Sequence, residues 1–358
     1  MRNHEVTVEQ KLLDESGEIA ECGWARKPVW KYERRAVKAP ALRIKEWDYY
    51  LVMHDGLLDK SESIALACTL SDDGYVGLQS VSLLFPGGEK PWEHTNTILN
   101  VAPMGRMHLP ESAEAGDVRY RDKKLDLAYL KSPGQRAVQG TFRSFMDGKD
   151  LKIDLKLKQR EEDDRMVIAT PWDRKHAFYY NQKINGMRAS GTVQLGDRTW
   201  VFRPETDFGT LDWGRGVWTY DNTWYWGSGN QDLNGHAFGF NIGFGFGNTK
   251  AATENVLSYD GSVSKLDDVE IRIPGDVSLK DMDAPRYMEP WEIHESSGRF
   301  EMTFCPVLDR AAKMDFKVIV SDQHQVFGRM SGTAVLSSGQ RVEVRDMLCF
   351  IEKVHNRY

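Results

Sequence analysis

The chain has 358 residues, room for two domains on the usual scale or for one large β domain. Its 41% hydrophobic and 28% charged residues can build a substantial core, which excludes wholesale disorder. A formal charge of −6, from 47 Lys and Arg against 53 Asp and Glu, leaves no basic excess to neutralise phosphates and argues against a nucleic-acid binder.

The first ten residues are polar and acidic with no apolar stretch, so no signal peptide is expected and the chain reads as cytoplasmic. Residues 1–45 are irregular, with Pro28 and Pro40 as breakers, and read as an arm around a domain. From Trp47 the pattern turns strand-like: Trp47, Tyr49, Leu51 and Met53 alternate with Asp48, Tyr50, Val52 and His54. Ile64–Leu70, Tyr75–Phe85, Leu125–Leu130, Gln139–Phe145, Leu151–Leu157 and Met166–Thr170 read the same way. In Leu151–Lys158 the apolar/charged alternation is strict, giving one buried and one wet face. Asp72-Asp73-Gly74 and Asp147-Gly148 are hairpin turns.

The second half repeats this style. Arg188–Leu195, Trp224–Gly229, His236–Gly247, Asn255–Tyr259, Val269–Ile273, Phe300–Cys305, Gln325–Leu336 and Arg341–Phe350 are the strand candidates. Glu9–Glu15 and Lys280–Met288 are at most short helices. The pattern predicts an all-β protein of two antiparallel barrels in tandem, residues 1–190 and 191–358, a size that can hold one small ligand each. One large curved sandwich is the alternative.

Two segments carry most information. In His236–Gly247, Phe238, Phe240, Ile242, Phe244 and Phe246 share one face, while the other is glycine and alanine except for Asn241. Glycine inside a strand needs a reason. One reading packs that bare face against other aromatics; the other leaves a lumen open for a ligand, with Asn241 as its polar handle. Just upstream, Trp213, Trp218, Trp224 and Trp226 crowd around Asp212 and Arg215. Asp212 and Arg215 read either as a local ion pair or as parts of an active site. If Trp213 and Trp218 desolvate Asp212, it serves as a proton donor, a role that contact with Arg215 opposes.

Gly23-Trp24-Ala25-Arg26-Lys27-Pro28, Ile44–Tyr50, Leu211–Trp218, Thr253-Glu254-Asn255 and His324–Arg329, in that order, resemble the signature of the domain of unknown function 2804 family, grouped with calycin-like proteins. The resemblance implies a pair of lipocalin-like barrels. A more distant similarity, carried by Tyr179-Tyr180, Gly191-Thr192-Val193, Asp212-Trp213-Gly214 and Trp224-Tyr225-Trp226, is to carotenoid 1,2-hydratase and AttH-like proteins. It implies an acid role for Asp212. The hydratase motif has His and Glu between the aspartate and Trp-Gly; this chain lacks both.

No dinucleotide loop, P-loop, His-Glu-x-x-His or Gly-x-Ser-x-Gly is present. The four cysteines are far apart and no histidine lies within four residues of one, so no metal site and no cofactor are expected. His236 and His324 read as hydrogen-bonded strand-end residues, and Glu254-Asn255 as a turn. The expected function is binding of a hydrophobic small molecule, isoprenoid or fatty-acyl, with acid-catalysed hydration, isomerisation or cyclisation. Its catalytic residues would be Asp212, Tyr180 and Arg215, and its ligand walls Trp213, Trp218, Trp224, Trp226 and Asn241. A non-catalytic carrier of lipid or another small molecule is the alternative, and a closed structural double barrel the third. No run approaches the ~18 apolar residues of a membrane span.

Overall fold

The structure, a computed structural model, describes residues 2–57, 59–101, 107–315, 317 and 319–357. Two strongly curled antiparallel sheets account for nearly all of it. The first has 13 strands, in the order Trp92–Val101, Val76–Phe85, Ile64–Asp72, Ile44–His54, Phe208–Val217, Phe178–Leu195, Lys149–Lys158, Gln135–Met146, Leu125–Ser132 and Val118–Arg121 along its main path. The second has nine and is centred on Asp221–Leu233, Arg341–Arg357, Val320–Val335 and Phe300–Asp315. Helix among the described residues is confined to two 3₁₀ turns, Arg34–Ala36 and Ala41–Arg43. Glu9–Glu15 and Lys280–Met288 contain no helix. No helix of the described residues is long and apolar enough to cross a membrane, which says nothing of membrane β-barrels.

Most expected strands are present, and Leu151, Ile153, Leu155 and Leu157 are buried while the lysines between them face water. The main addition is Phe208–Val217, a fully buried strand whose glycines and charges resemble a loop in sequence. Its glycines answer close packing: a Cβ on Gly214 would lie 2.0 Å from the Trp47 ring. Because this strand pairs with Ile44–His54 and Phe178–Val217 register partners tie it to Phe178–Leu195, the chain passes from one sheet to the other between Val217 and Asp221. Residues 191–217 therefore belong to the first sheet, whereas the sequence pattern places the division at 190/191.

Each curled sheet encloses its own apolar core. Tyr50, Leu66, Leu83, Val138, Leu155, Tyr180, Leu211 and Trp213 lie in the first. Phe238, Phe240, Ile242, Trp291, Phe300, Phe304, Val326 and Ile351 lie in the second. A third cluster, with Tyr49, Leu51, Tyr179, Trp218, Trp226, Phe246, Phe327 and Phe350, fills the seam where the outer faces of the two sheets meet. Period-two alternation thus sends odd and even residues of one strand into different cores.

Candidate active site

The seam holds the densest cluster of buried charge. On the first sheet, register places Lys183 opposite Asp212 and Asp212 opposite Tyr49, a row across three strands. On the second, Gln325 pairs with Glu352, Glu352 with Trp226 and Trp226 with Gly243. The rows face one another: Lys183 Nζ sits 3.9 Å from the centre of the Trp226 ring, and Gln325 Nε2 reaches Tyr49 Oη at 3.5 Å. Each side chain is placed by strand parity and sheet register together.

Lys183 Nζ lies 2.7 Å from Asp212 Oδ2, and Asn181 Nδ2 donates to Asp212 Oδ1 at 2.7 Å. Tyr179 Oη donates to Glu254 Oε2 at 2.9 Å. Asn241 Nδ2 donates to the Glu254 carbonyl at 3.0 Å and accepts Trp226 Nε1 on its Oδ1 at 2.7 Å. Glu352 takes Trp224 Nε1 on one oxygen and Gln325 Nε2 on the other, both at 3.0 Å.

Three carboxyl groups thus feel the Lys183 ammonium, which contacts Asp212 directly, while Lys265 acts on Glu254 and Arg310 reaches Gln325 at 2.9 Å. Burial pushes Glu352 up to about 7, and the nearby Asp212 charge adds to this against the pull of Trp224 and Lys183. Glu254 is raised by burial and by Asp212, with Lys183 opposing. A dry, negatively biased cluster favours uptake of a proton. All four residues are buried, Asp212 at 7% and Glu352 at 8% exposure against 2% each for Lys183 and Glu254, so the Asp212–Glu352 edge is the less enclosed one. Beside it, Trp218 packs against Trp47, Trp172 and Trp224 with ring centres 5.3–5.5 Å apart, and Trp47, Trp172 and Trp224 are only half buried.

The expected residues separate into two groups. Asp212, Trp218, Trp224, Trp226 and Asn241 meet in the seam. Tyr180, Trp213 and Arg215 point the other way, into the first core. Tyr180 Oη donates to the Trp30 carbonyl at 2.9 Å. Arg215 pairs with Asp48 at 2.9 Å, bonds the carbonyls of Trp47, Gly214 and Pro110, and lies over Trp213. Asp212 and Arg215 do not touch because an odd and an even residue of one strand face opposite sides.

The bare glycine face is a packing surface. A Cβ on Gly239 would lie 2.5 Å from Asn230 Oδ1 and 3.0 Å from Asn185 Cβ, and one on Gly243 would lie 2.3 Å from Glu254 Oε1. The lumen expected there is occupied by the other sheet and by the Glu254 carboxyl. Asn241 is a polar handle for Glu254 and Trp226 instead. Well-defined clefts, one of about 500 Å³ beside Lys27, Glu114, Lys131 and Arg165 and one of about 770 Å³ beside Gln231 and Arg341, lie outside the seam. Inside the first core there is a void of only about 10 Å³ near Tyr50 and Tyr129.

Lys183, Tyr179, Glu254, Gln325 and Glu352 were not among the expected site residues. Tyr179, Glu254 and Gln325 lie within the motifs that carry the resemblance, so the signal was their shared membership; Lys183 and Glu352 lie outside them. Among the described residues no group of histidine, cysteine and carboxylate is arranged to hold a metal ion.

No curated protein matches the sequence. Among solved structures, a putative AttH of Nitrosomonas europaea shares the fold (TM-score 0.50, 12% identity, 87% of this chain and 92% of that one), and kievitone hydratase of Nectria haematococca aligns at a TM-score of 0.49 (9% identity, 88% of each chain). At these identities the likeness concerns the fold alone. The model of the family described as Domain of unknown function (DUF2804) matches residues 3–358, and the chain belongs to that family.

Proposed function

We propose that the seam is an acid–base site that adds or removes water, or shifts a double bond, in an unsaturated and largely apolar small molecule. The observation that carries this reading is the gathering of Asp212, Glu254 and Glu352 about Lys183, which pairs directly with Asp212 alone, with Glu352 pushed up to about 7. A carboxyl that titrates near neutrality, held by two donors at the less enclosed edge of an aromatic seam, can give and recover a proton in one cycle. Buried ion pairs are weak aids to stability, so a cluster with surplus negative charge invites a chemical explanation.

In this reading Glu352 is the proton donor and Asp212 the carboxylate that orients or accepts from water. Lys183 keeps Asp212 in place while Trp226 and Phe246 cover its ammonium. Trp47, Trp218 and Trp224 form the apolar approach, and their indole faces suit a developing carbocation, worth ~0.5–2 kcal/mol each. Asp212 keeps the site role that the sequence suggested, but the donor role passes to Glu352. The larger clefts lie outside the seam and so favour neither this reading nor the carrier alternative.

The test is solvent-deuterium incorporation into a panel of isoprenoid and prenylated phenolic alkenes, read by mass spectrometry. The expected result is incorporation that falls at least ~100-fold in both Glu352→Gln and Asp212→Asn. Incorporation unchanged in both variants would overturn the assignment.

A further inference from the structure

A second constellation lies where the Ile44–His54 strand ends and the Phe208–Val217 strand begins. Asp207 is fully buried and its carboxylate is fixed by the Arg203 backbone N–H at 2.7 Å and by Thr206 Oγ1 at 2.9 Å. It faces His54 Nδ1 at 2.8 Å, which places the proton on that nitrogen and leaves Nε2 as an acceptor. Ser61 Oγ lies 2.7 Å from His54 Nε2, and Ser61 is exposed. Phe202 packs edge-on against the imidazole at 6.3 Å.

The loop is built to deliver that hydroxyl. Ser61 N donates to the Gly56 carbonyl at 3.0 Å and to Asp59 Oδ1 at 3.1 Å, while Gly56 N donates to Ser63 Oγ at 3.1 Å. A Cβ at position 56 would lie 2.3 Å from the Ser61 carbonyl oxygen, so only glycine permits the closure. Beside the imidazole opens a cleft of about 410 Å³ lined by His54, Asp55, Asp59, Arg203 and Thr206; Ser61 flanks it rather than lines it, and Asp59 Oδ1 lies 3.7 Å from His54 Nε2. A loop latch would need neither a sealed carboxylate behind the ring nor a solvent-facing hydroxyl before it.

We propose that Ser61, His54 and Asp207 form a second catalytic site, a hydrolytic triad for small polar carboxylic esters. Ser61 Oγ would attack the ester carbonyl carbon as its proton passes to His54 Nε2. The tetrahedral adduct then breaks its bond to the alcohol oxygen, and His54 returns the proton to the departing alcohol. Water repeats the sequence on the acyl-serine, releasing the acid and restoring Ser61. Asp207 orients the imidazole and stabilises its charged form. Arg203 is paired with Asp59 at 3.1 Å and Asp55 lines the same cleft, so the cleft carries no surplus cation and favours esters without a carboxylate.

The test treats the full chain at mildly alkaline pH with an alkyl fluorophosphonate, followed by intact mass and peptide mapping, with p-nitrophenyl acetate hydrolysis in parallel. Alkaline conditions matter because the hydrogen bond that His54 donates to Asp207, with Asp59 and Asp55 near, raises His54 above its ordinary 6.5. One phosphonyl group on Ser61 is expected, with labelling and hydrolysis reduced at least ~100-fold by Ser61→Ala and by His54→Gln. Circular dichroism of Ser61→Ala, which removes only an exposed hydroxyl, checks that the fold is kept. No adduct on the wild-type chain, an adduct on another residue, or rates within two-fold in Ser61→Ala would each overturn the proposal.

Discussion

One strand, Phe208–Val217, carries a buried ion pair on each face, and the two differ in kind. Facing the first core, Arg215 meets Asp48 and spends its other N–H groups on three backbone carbonyls. Facing the seam, Lys183 pairs with Asp212, while Glu254 and Glu352 are held by neutral donors. The first arrangement is charge-matched and bonded to main chain, so it locks a sheet to its neighbouring loop. In the second, two buried carboxyls are met by tyrosine, indole and amide rather than by a cation in contact, and burial raises both. Equal burial therefore does not imply equal purpose; the partner each charge contacts decides.

The largest expected effect comes from removing the cation that pairs with Asp212. Lys183→Met should cost ~3–5 kcal/mol near neutral pH, because it strands buried carboxylates. In urea unfolding the loss should shrink in mild acid, where those carboxyls take up protons. An equal loss at both pH values would mean that the seam is as charge-matched as the Arg215 pair.

Next is the pH dependence of Glu352. Its folded pKa of about 7 lies above its ordinary 4.5, so the folded chain holds this proton longer than the unfolded one. The stability from this group is therefore present below 4.5 and lost as pH rises through about 7, by on the order of 2–3 kcal/mol. Glu352→Gln should remove that share of the decline. Glu114 offers the opposite sign: Arg136, Arg165 and Lys131 overcome its burial and hold it down at about 2, so its contribution is present above 4.5 and fades only in strong acid.

A smaller effect is expected for Gly243→Ala, whose Cβ would press on Glu254 Oε1 and on the Tyr225 carbonyl. A loss of ~1–3 kcal/mol, with a drop in the apparent pKa-linked activity, would show that the glycine face positions the carboxyl. Smallest should be Arg215→Lys, which keeps the charge near Asp48 but forfeits part of the carbonyl network, at ~1–2 kcal/mol with seam titrations unmoved.

The sequence pattern made the all-β class and most strands legible because alternation in stretches such as Leu151–Lys158 reports one buried face directly. It also drew attention to the indoles and to Asp212. It grouped Tyr180, Trp213 and Arg215 with Asp212, whereas they face the first core, because neighbouring residues of a strand point to opposite sides and only the partner strand reveals which side is which. Phe208–Val217 hides for a related reason: its glycines make room for Trp47 and Leu157, contacts that come from distant strands. Glu352 and Lys183, far apart in sequence, become neighbours only through register in two separate sheets. The glycine face of His236–Phe244 does mark a close approach, but by the other sheet.

The central claim is that the seam stores an exchangeable proton at Glu352. A ¹³C NMR titration of glutamate-labelled protein, with Glu352→Gln used to assign the resonance, reads it directly. A carboxyl midpoint near 7 is the predicted result, and a midpoint near the ordinary 4.5 would contradict it.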